Sequence, residues 1–460
     1  MVAGLTFCVV ADAGAANSIT YNVGGLQITL TDLGVLPGGT FSSGLAINNR
    51  SEVAGYANIL GAENWENVLP IWSANTGDVI GSVANWDPAS QALPEQRNDN
   101  GEMAGTEVIF SGNLNRGVYW NSAGQAFGLP GMAGTDPVFG PVHVLGHGIN
   151  NPGQMAGGAK DGTANHFMHA VLWQNKDTTP QDLGFLGTGT YANYSEAYGI
   201  NDLTHVVGNS AVGTATRGFL WRNGSMIGLV PLSGQVVSEA YAVNNNGLIV
   251  GKCNIFPVTW SYDIANPSST PTIHQLPIPS GFFTAQPGAV NDSGDVAGYA
   301  GSPGIDAHAI LWRGGRAYDL GVWPGGTYSV ANGINNLGQL VGTGTVAGDN
   351  LDHALVWTIA TASPNTTPSP SLKATSSTSI RVGGRLSVQA SFSDPDNGPW
   401  SYRLDWGDGS ATTGNTSTPG MIPGVGPHTY TRAGTFKARL TVTDSQGAAG
   451  SSSAITVRVR

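Results

Sequence analysis

The chain has few charged residues, and this shortage excludes several classes of protein. Only 11% of its 460 residues are charged, with 19 Lys and Arg against 30 Asp and Glu, and the net charge is −11. Nucleic-acid binding requires a basic surface that displaces counterions, and anionic membranes attract basic segments. We therefore expect no nucleic-acid partner and no binding to an anionic membrane surface.

Long apolar runs are also missing, since no stretch approaches the roughly 20 apolar residues of a membrane-spanning helix. Membrane insertion is therefore not expected.

The first residues combine a short apolar stretch, Val2 to Val10, with small residues at positions 11, 13, 15 and 16. This pattern is typical of the end of a secretory signal, although its basic start is absent. We expect a truncated signal peptide over residues 1–16 and an exported protein. Cys253 alone would remain, so no internal disulfide can form.

The sequence is rich in glycine, with 67 residues, and in one repeated phrase. The phrase beginning "GINNPGQMAG" at Gly148 occurs in seven related copies, whose first asparagines are 43 to 52 residues apart. These asparagines are Asn48, Asn98, Asn150, Asn201, Asn244, Asn291 and Asn335. A period in this range is typical of repeat folds.

Each copy predicts four short strands. Asn and Gly permit the positive φ of a tight turn between two strands, and an apolar run ending in Trp begins a second hairpin with a "DLG" segment. The tryptophans are Trp72, Trp120, Trp173, Trp221, Trp260, Trp312 and Trp357. Four strands in about 48 residues form one propeller blade, so residues 17–358 predict a seven-bladed β-propeller. The tryptophans at one fixed strand position are expected to pack between blades rather than stack on sugars.

The last copy lacks its own "DLG" segment, whereas an unpartnered one stands at Ile28 to Gly34. We expect this N-terminal segment to pair beside Leu355 to Trp357 and to complete the seventh blade. Ring closure of this kind removes exposed sheet edges.

The C-terminal part has a different composition. A segment rich in Pro, Thr and Ser predicts a linker over residues 359–370, and alternating apolar residues predict strands over 371–460. "LDWGDGS" at Leu404, "HTY" at His428 and the stretch from Gly434 to Asp444 resemble the PKD domain family. This resemblance implies an immunoglobulin-like β-sandwich that follows the all-β propeller.

The repeats themselves resemble the HAF-repeat family of bacterial extracellular proteins. The resemblance rests on three spaced signatures, "DLG…GG", "GINNxGQxVG" and "HAxLW", and covers roughly Ile28 to Trp357. It implies secretion or a cell-surface location and a β-repeat fold, but no activity that applies to the whole family.

Candidate site residues fall on the predicted inner strands. Three residues before the first Asn, copies two to five carry Glu95, His147, Tyr198 and Tyr241, and one residue before it the second copy carries Arg97. Inner strands line the propeller channel, so we expect these five residues to converge on the face with variable loops. Arg neutralises a carboxylate while His or Tyr removes a proton, as cleavage of an acidic glycan requires. Polar and aromatic residues also fill such channels without any activity.

The variable loops contain aromatic residues that can stack on sugar rings. These ligand-binding candidates are Trp65, Trp86, Tyr191, Tyr194 and Trp323. In the C-terminal domain, Asp394, Asp396 and Asp408 are candidate calcium ligands, since hard cations bind clustered carboxylates. Solvated turn residues remain the alternative for these aspartates, and the sequence predicts no other cofactor.

Two functions follow from these observations. The first is a secreted or surface recognition protein, whose propeller binds a glycan or protein partner on its loop-rich face and whose PKD domain is a spacer or docking module. The second is a secreted polysaccharide-degrading enzyme, in particular a polysaccharide lyase. The first is favoured because repeats dominate the chain and no acid–base pair stands out.

Overall fold

The computed structural model divides the chain into two compact units, Met1–Thr361 and Ala362–Arg460, whose described residues form β-strands joined by turns and loops. Described residues are 17–59, 68–83, 90–109, 114–132, 143–161, 167–187, 193–266, 268–303, 305–347, 351–361, 367–394, 400–444 and 447–460. Within these ranges there is no helix, and hence none with the length and apolarity that a membrane crossing requires. The predicted signal over residues 1–16 lies outside them.

The first unit begins with a hairpin of β1 (Asn17–Val23) and β2 (Leu26–Asp32). Sheet one contains β3 (Ser42–Ile47), β4 (Glu52–Ala57), β5 (Leu69–Ser73) and β6 (Val79–Val83). Sheet two contains β7 (Ser90–Arg97), β8 (Met103–Ile109), β9 (Leu114–Trp120) and β10 (Ala126–Gly128). Sheet three contains β11 (Val144–Ile149), β12 (Met155–Lys160), β13 (Met168–Trp173) and β14 (Gln181–Asp182).

The same order continues through four further sheets. Sheet four contains β15 (Ser195–Ile200), β16 (Val206–Val212), β17 (Ala215–Arg222) and β18 (Ser225–Gly228). Sheet five contains β19 (Glu239–Val243), β20 (Leu248–Cys253), β21 (Phe256–Ser261) and β22 (Thr272–Gln275). Sheet six contains β23 (Ala285–Val290), β24 (Val296–Ala300), β25 (His308–Arg313) and β26 (Arg316–Asp319). Sheet seven contains β27 (Ser329–Ile334), β28 (Gln339–Thr345) and β29 (Asp352–Thr361), followed by β2 and β1.

All neighbouring strands in these sheets are antiparallel, and the first strand of each sheet contacts the first strand of the next. The contacts continue from β27 back to β3. The Asn-rich phrases form the turns between first and second strands. We call the surface made by these seven turns the Asn-turn face, and the surface at the opposite ends of the strands the loop-rich face.

A closed ring of hydrogen bonds joins the seven Asn turns. The side-chain Nδ2 of the first Asn in each turn donates to the backbone oxygen of the corresponding Asn in the next turn, over 2.8–3.0 Å. The last bond runs from Asn335 back to Asn48. The same side chain closes its own turn, as Asn48 Oδ1 accepts from the backbone of Arg50 and Glu52. The side-chain amide of each first Asn therefore pairs with backbone N–H groups of its own turn and links this turn to the next one.

A second ring surrounds the first. Each backbone N–H of the residue after the first Asn donates to the side-chain Oδ1 of its counterpart in the next turn, over 2.7–2.9 Å. The members alternate between amide and carboxylate as Asn49, Asp99, Asn151, Asp202, Asn245, Asp292 and Asn336. Seven is odd, so one junction, Asn336 to Asn49, joins two amides.

The repeated tryptophans are buried between neighbouring sheets, in agreement with the packing interpretation. All seven are 8% exposed or less. Trp173 Nε1 donates to the Pro130 oxygen and Trp260 Nε1 to the Val230 oxygen, each in the segment that follows the preceding sheet. Large rings at one strand position therefore fill the space between sheets.

The N-terminal hairpin completes sheet seven, which confirms the predicted pairing of this segment. Strand β2 pairs with β29, with Leu30 opposite Trp357 and Asp32 opposite Leu355. Asp32 also accepts a hydrogen bond from Nδ1 of His353 over 2.9 Å. Because this pairing continues to Thr361, the last strand is longer than expected. The predicted linker, residues 359–370, is correspondingly too long at its start, and β30 begins before its predicted end.

The second unit is a β-sandwich around one hydrophobic core. Its strands are β30 (Ser369–Ala374), β31 (Ser379–Ile380), β32 (Arg385–Leu386), β33 (Val388–Ser393), β34 (Trp400–Asp405), β35 (Ala411–Thr416), β36 (Gly420–Met421), β37 (His428–Thr429), β38 (Gly434–Thr443), β39 (Ala449–Ser451) and β40 (Ile455–Val459). Trp406 is 2% exposed and stacks on the His428 ring at 4.7 Å. The "LDWGDGS" motif thus supplies a core residue.

Candidate functional site

Every first strand of the seven sheets contains a β-bulge, and the bulged residue lies three positions before the first Asn. The strand register shifts on either side of this residue in all seven sheets. The bulged residues are Leu45, Glu95, His147, Tyr198, Tyr241, Gly288 and Asn332. A bulge leaves one residue out of the ladder and redirects its side chain. The position three residues before the first Asn, which the sequence analysis selected, therefore differs in backbone geometry from the rest of its strand.

His147 is the centre of a cluster that joins three sheets. Its Nδ1 lies 2.5 Å from Glu95 Oε2 on sheet two, and its Nε2 lies 2.8 Å from Glu196 Oε1 on sheet four. The hydroxyl of Tyr194 donates to the other oxygen of Glu196 over 2.5 Å. The side chains of His147 and Glu196 are each 11% exposed, whereas that of Glu95 is 35% exposed, so the ring and one carboxylate are largely buried and the second carboxylate reaches the surface.

Aromatic rings extend this cluster across sheets four and five. The Tyr198 ring lies 5.1 Å from the His147 ring and 6.4 Å from the Tyr241 ring, measured between centroids. The Tyr241 hydroxyl donates to Glu239 Oε2 over 2.6 Å, and Lys252 Nζ lies 3.6 Å from the same oxygen. We call Glu95, His147, Tyr194, Glu196, Tyr198, Glu239, Tyr241 and Lys252 the bulge cluster.

The electrostatics of the bulge cluster keep its histidine and its two bulged tyrosines protonated. Burial alone would lower the pKa of His147, but the carboxylates of Glu95 and Glu196 raise it to about 10. Burial and the nearby Glu239 raise the pKa of the Tyr241 phenol far above its usual value, and burial together with Glu196 does the same for Tyr198. At neutral pH all three groups therefore hold their protons, whereas a base must be free of its proton.

Arg97 does not join the bulge cluster, which corrects the expectation that all five residues converge. Its Nε and terminal nitrogen donate to Glu52 Oε2 over 3.1 and 2.6 Å. The pairing places Arg97 beside the Asn turns, where it lines a cavity of about 130 Å³ together with apolar residues such as Ile149 and Ile200. Its side chain is 7% exposed, so this buried charge is held by its carboxylate partner.

The aromatic residues expected on the loops have different outcomes. Trp65, Trp86 and Tyr191 lie outside the described residues. Tyr194 belongs to the bulge cluster and is 38% exposed. Trp323 is only 8% exposed and packs in a core with Leu320 and Val346, so the expectation of an exposed ring is wrong there. A loop between packed sheets has apolar neighbours that cover a large ring.

Sequence reasoning missed a row of exposed apolar side chains on the loop-rich face. Val236, Ile255, Phe283 and Ile305 are 66%, 51%, 90% and 72% exposed. They lie in successive loops of sheets five and six, and the Thr284 hydroxyl donates to the Ile255 oxygen between two of these loops. We call these four residues the apolar row. The sequence signal for this row was the presence of single apolar residues within loops rich in Gly and Pro.

Sequence reasoning also missed Glu196 and Glu239. Each stands two residues before a bulged tyrosine, Tyr198 or Tyr241, on the same strand. Successive side chains of a strand alternate between faces, so residues two apart share one. This spacing was the signal that could have identified both carboxylates.

The aspartates considered for calcium are engaged by protein groups. Trp400 Nε1 donates to Asp394 Oδ2 over 2.7 Å, and Asp408 Oδ2 lies 2.7 Å from His428 Nε2. Hydrogen bonds from Ser410 and His428 lower the pKa of Asp408 to about 2 against the opposing effect of burial. Asp396 lies outside the described residues. Over the described part of the chain, no three His, Cys, Asp or Glu residues form a group suited to a metal ion.

Comparisons with known proteins identify the second unit. Residues 367–459 match the PKD domain family. A solved PKD domain of an M14-like peptidase from a Thermoplasmatales archaeon is 19% identical, and the match covers 21% of this chain and 98% of that chain with a TM-score of 0.18. No curated protein matches the chain. The C-terminal unit therefore contains a PKD domain, a module typical of extracellular and cell-surface proteins.

Proposed function

We propose that the first unit is a seven-bladed β-propeller of HAF repeats that recognises a partner outside the cell, without catalysis, through its loop-rich face. Support for the propeller comes from the two hydrogen-bond rings, which pass through all seven Asn turns and return to the first. The first strands likewise contact one another in a complete cycle. The PKD domain then serves as a spacer or docking module.

The observation that carries the recognition function is the apolar row. Monomeric proteins rarely leave neighbouring large apolar side chains this exposed unless a partner covers them. The row lies in loops of the loop-rich face, which differ in length and sequence from sheet to sheet. Binding residues concentrate on variable loops held by a rigid frame, and this face has that character.

The chemistry of the row favours a protein partner over a glycan. Sugars bind to flat aromatic faces, but Val236, Ile255 and Ile305 are aliphatic and only Phe283 has a ring. Protein interfaces bury such side chains in a central apolar patch with a polar rim. His147, Tyr198 and Tyr241 hold their protons, so they do not supply the histidine or phenolate base that the lyase alternative assigned to them.

A pair of matched variants tests this function. Ile255→Ser/Phe283→Ser removes two side chains from the apolar row, and Leu203→Ser/Leu337→Ser removes two exposed leucines from the Asn-turn face. Immobilised parent and variants are exposed to surface and secreted proteins of the producing cells, to a glycan array and to acidic polysaccharides. The same protein should bind the parent and the leucine variant, with at least a tenfold loss for the row variant.

Three results would contradict the proposal. If both variants bound the partner equally well, the apolar row would have no role in binding. Binding of glycans alone would show that the ligand is a glycan and not a protein. Absorbance from an unsaturated product with any acidic polysaccharide would establish catalysis.

A further inference from the structure

Sheet seven differs from the other six sheets at its outer edge. It contains a fifth strand, β1, which spans seven residues, whereas the outermost strands of the other sheets span two to five. The β1 sequence, "NSITYNV", has no charge and no proline. Proteins usually protect edge strands by shortness, charge or proline, and β1 has none of these protections.

The geometry of the hairpin shows which backbone groups of β1 face outward. Gly24 and Gly25 form a two-residue turn with positive φ at both positions, and Val23 stands opposite Leu26 beside it. Residues flanking such a turn form a hydrogen-bonded pair, and bonded and non-bonded pairs then alternate along the strands. The N–H and C=O groups of Ser18, Thr20 and Asn22 therefore point away from β2. Over the described residues they have no backbone partner on a further strand.

The side chains hold β1 in place for pairing. Ile19, Tyr21 and Val23 are half-buried and pack against the core shared by sheets six and seven. The Tyr21 hydroxyl donates to the Leu320 oxygen of the segment after β26 over 2.5 Å. Ser18, Thr20 and Asn22 are exposed. The strand is thus ordered before any partner arrives, so binding an additional strand costs little conformational entropy.

We propose that β1 is a pairing edge and that its occupant is β1 of a second copy of the chain. In an antiparallel register centred on Thr20, Thr20 stands opposite Thr20 and Ser18 stands opposite Asn22 of the second copy. This register pairs all the outward groups of the three residues in six hydrogen bonds and obeys two-fold symmetry. Ile19 stands opposite Tyr21, a favourable cross-strand combination. No like charges meet along the strand.

Self-pairing explains why this edge is uncharged in a chain with a net charge of −11. A single strand pair is smaller than a standard protein interface, so the dimer should be weak and reversible.

Sedimentation velocity of the full chain over a concentration series tests the proposal. The parent should associate to a dimer, and Thr20→Lys should raise the dissociation constant at least tenfold, because it places two like charges directly opposite each other. Ser225→Lys, on the exposed edge strand β18 of sheet four, should associate as the parent does. Thr20→Pro gives a second disruption, since it removes an outward N–H that the hairpin does not use.

Hydrogen exchange identifies the strand involved. The amides of Ser18, Thr20 and Asn22 should become protected as the protein concentration rises. A parent that stays monomeric, a Thr20→Lys variant that dimerises like the parent, or a dimer in which these three amides remain unprotected would each overturn the proposal. A parent that binds only a strand of another protein would also overturn it.

Discussion

The Asn-turn face and the loop-rich face are built by the same seven repeats, yet one face is nearly identical in every repeat and the other varies. On the Asn-turn face the same amide forms the same bond seven times, and the two rings leave few groups for a partner. On the loop-rich face the loops between second and third strands differ, with two residues between β16 and β17 and seven between β24 and β25. Repetition therefore accompanies the hydrogen bonds that link the seven turns, and variation accompanies the surface proposed for recognition.

Loss of the N-terminal hairpin should break the repeated framework most severely. Deletion of residues up to Gly34 removes β2, whose Leu26, Ile28 and Leu30 are buried against sheet seven. At about 1.5–3 kcal/mol for each buried aliphatic side chain, the free energy of unfolding should fall by roughly 5–9 kcal/mol. Thermal unfolding should show a sharply lower Tm than for Thr20→Ala, a change on the exposed side of β1. A deletion variant as stable as the parent would contradict the role of β2.

The Asn ring should be the next most sensitive element. Asn150→Ala removes the bond from Nδ2 to the Asn201 oxygen and the bond that Oδ1 accepts from Gln154. Both partners then lose a buried contact, so the free energy of unfolding should fall by about 2–4 kcal/mol. Asn100→Ala removes only an exposed bond to the Asn151 oxygen and should cost about 0.5 kcal/mol or less. Chemical denaturation of both variants measures the difference, and equal losses would show that the ring of Asn side chains does not stabilise the fold.

The contribution of the bulge cluster to the stability of the fold should depend on pH. The pKa of His147 is raised from 6.5 to about 10, so its protonated contacts stabilise the fold fully below pH 6.5 and are lost as the pH rises through 10. His147→Gln should therefore be less stable than the parent by a few kcal/mol near pH 6, and the gap should shrink toward pH 10. His274→Gln, at an exposed position on β22, provides the control. A gap that is constant with pH would contradict a charged His147.

Much of this architecture was available from the sequence, because the repeats mark turns and buried rings directly. The Asn phrases predicted where first strands end, and the Trp runs predicted which rings are buried. The sequence could not predict that Glu95 and Arg97 separate. A bulge at Glu95 and the carboxylate of Glu52 decide their environments, and both depend on neighbouring strands. Trp323 is buried by contacts from distant segments, which the local pattern does not record.

The smallest expected effect tests whether the bulged positions are free to vary. A Cβ added at Gly288 would meet only the Asn332 oxygen at 3.9 Å, so the site has room. Gly288→Ala should stabilise the fold by about 0.4–1 kcal/mol, since it reduces the freedom of the unfolded chain. At Gly298, on the adjacent strand, a Cβ would lie 2.1 Å from the Gln286 oxygen, so Gly298→Ala should destabilise by about 1–3 kcal/mol. Denaturant midpoints for the two variants should move in opposite directions, and a loss of stability at Gly288 would show that the bulged positions are as constrained as the rest of the framework.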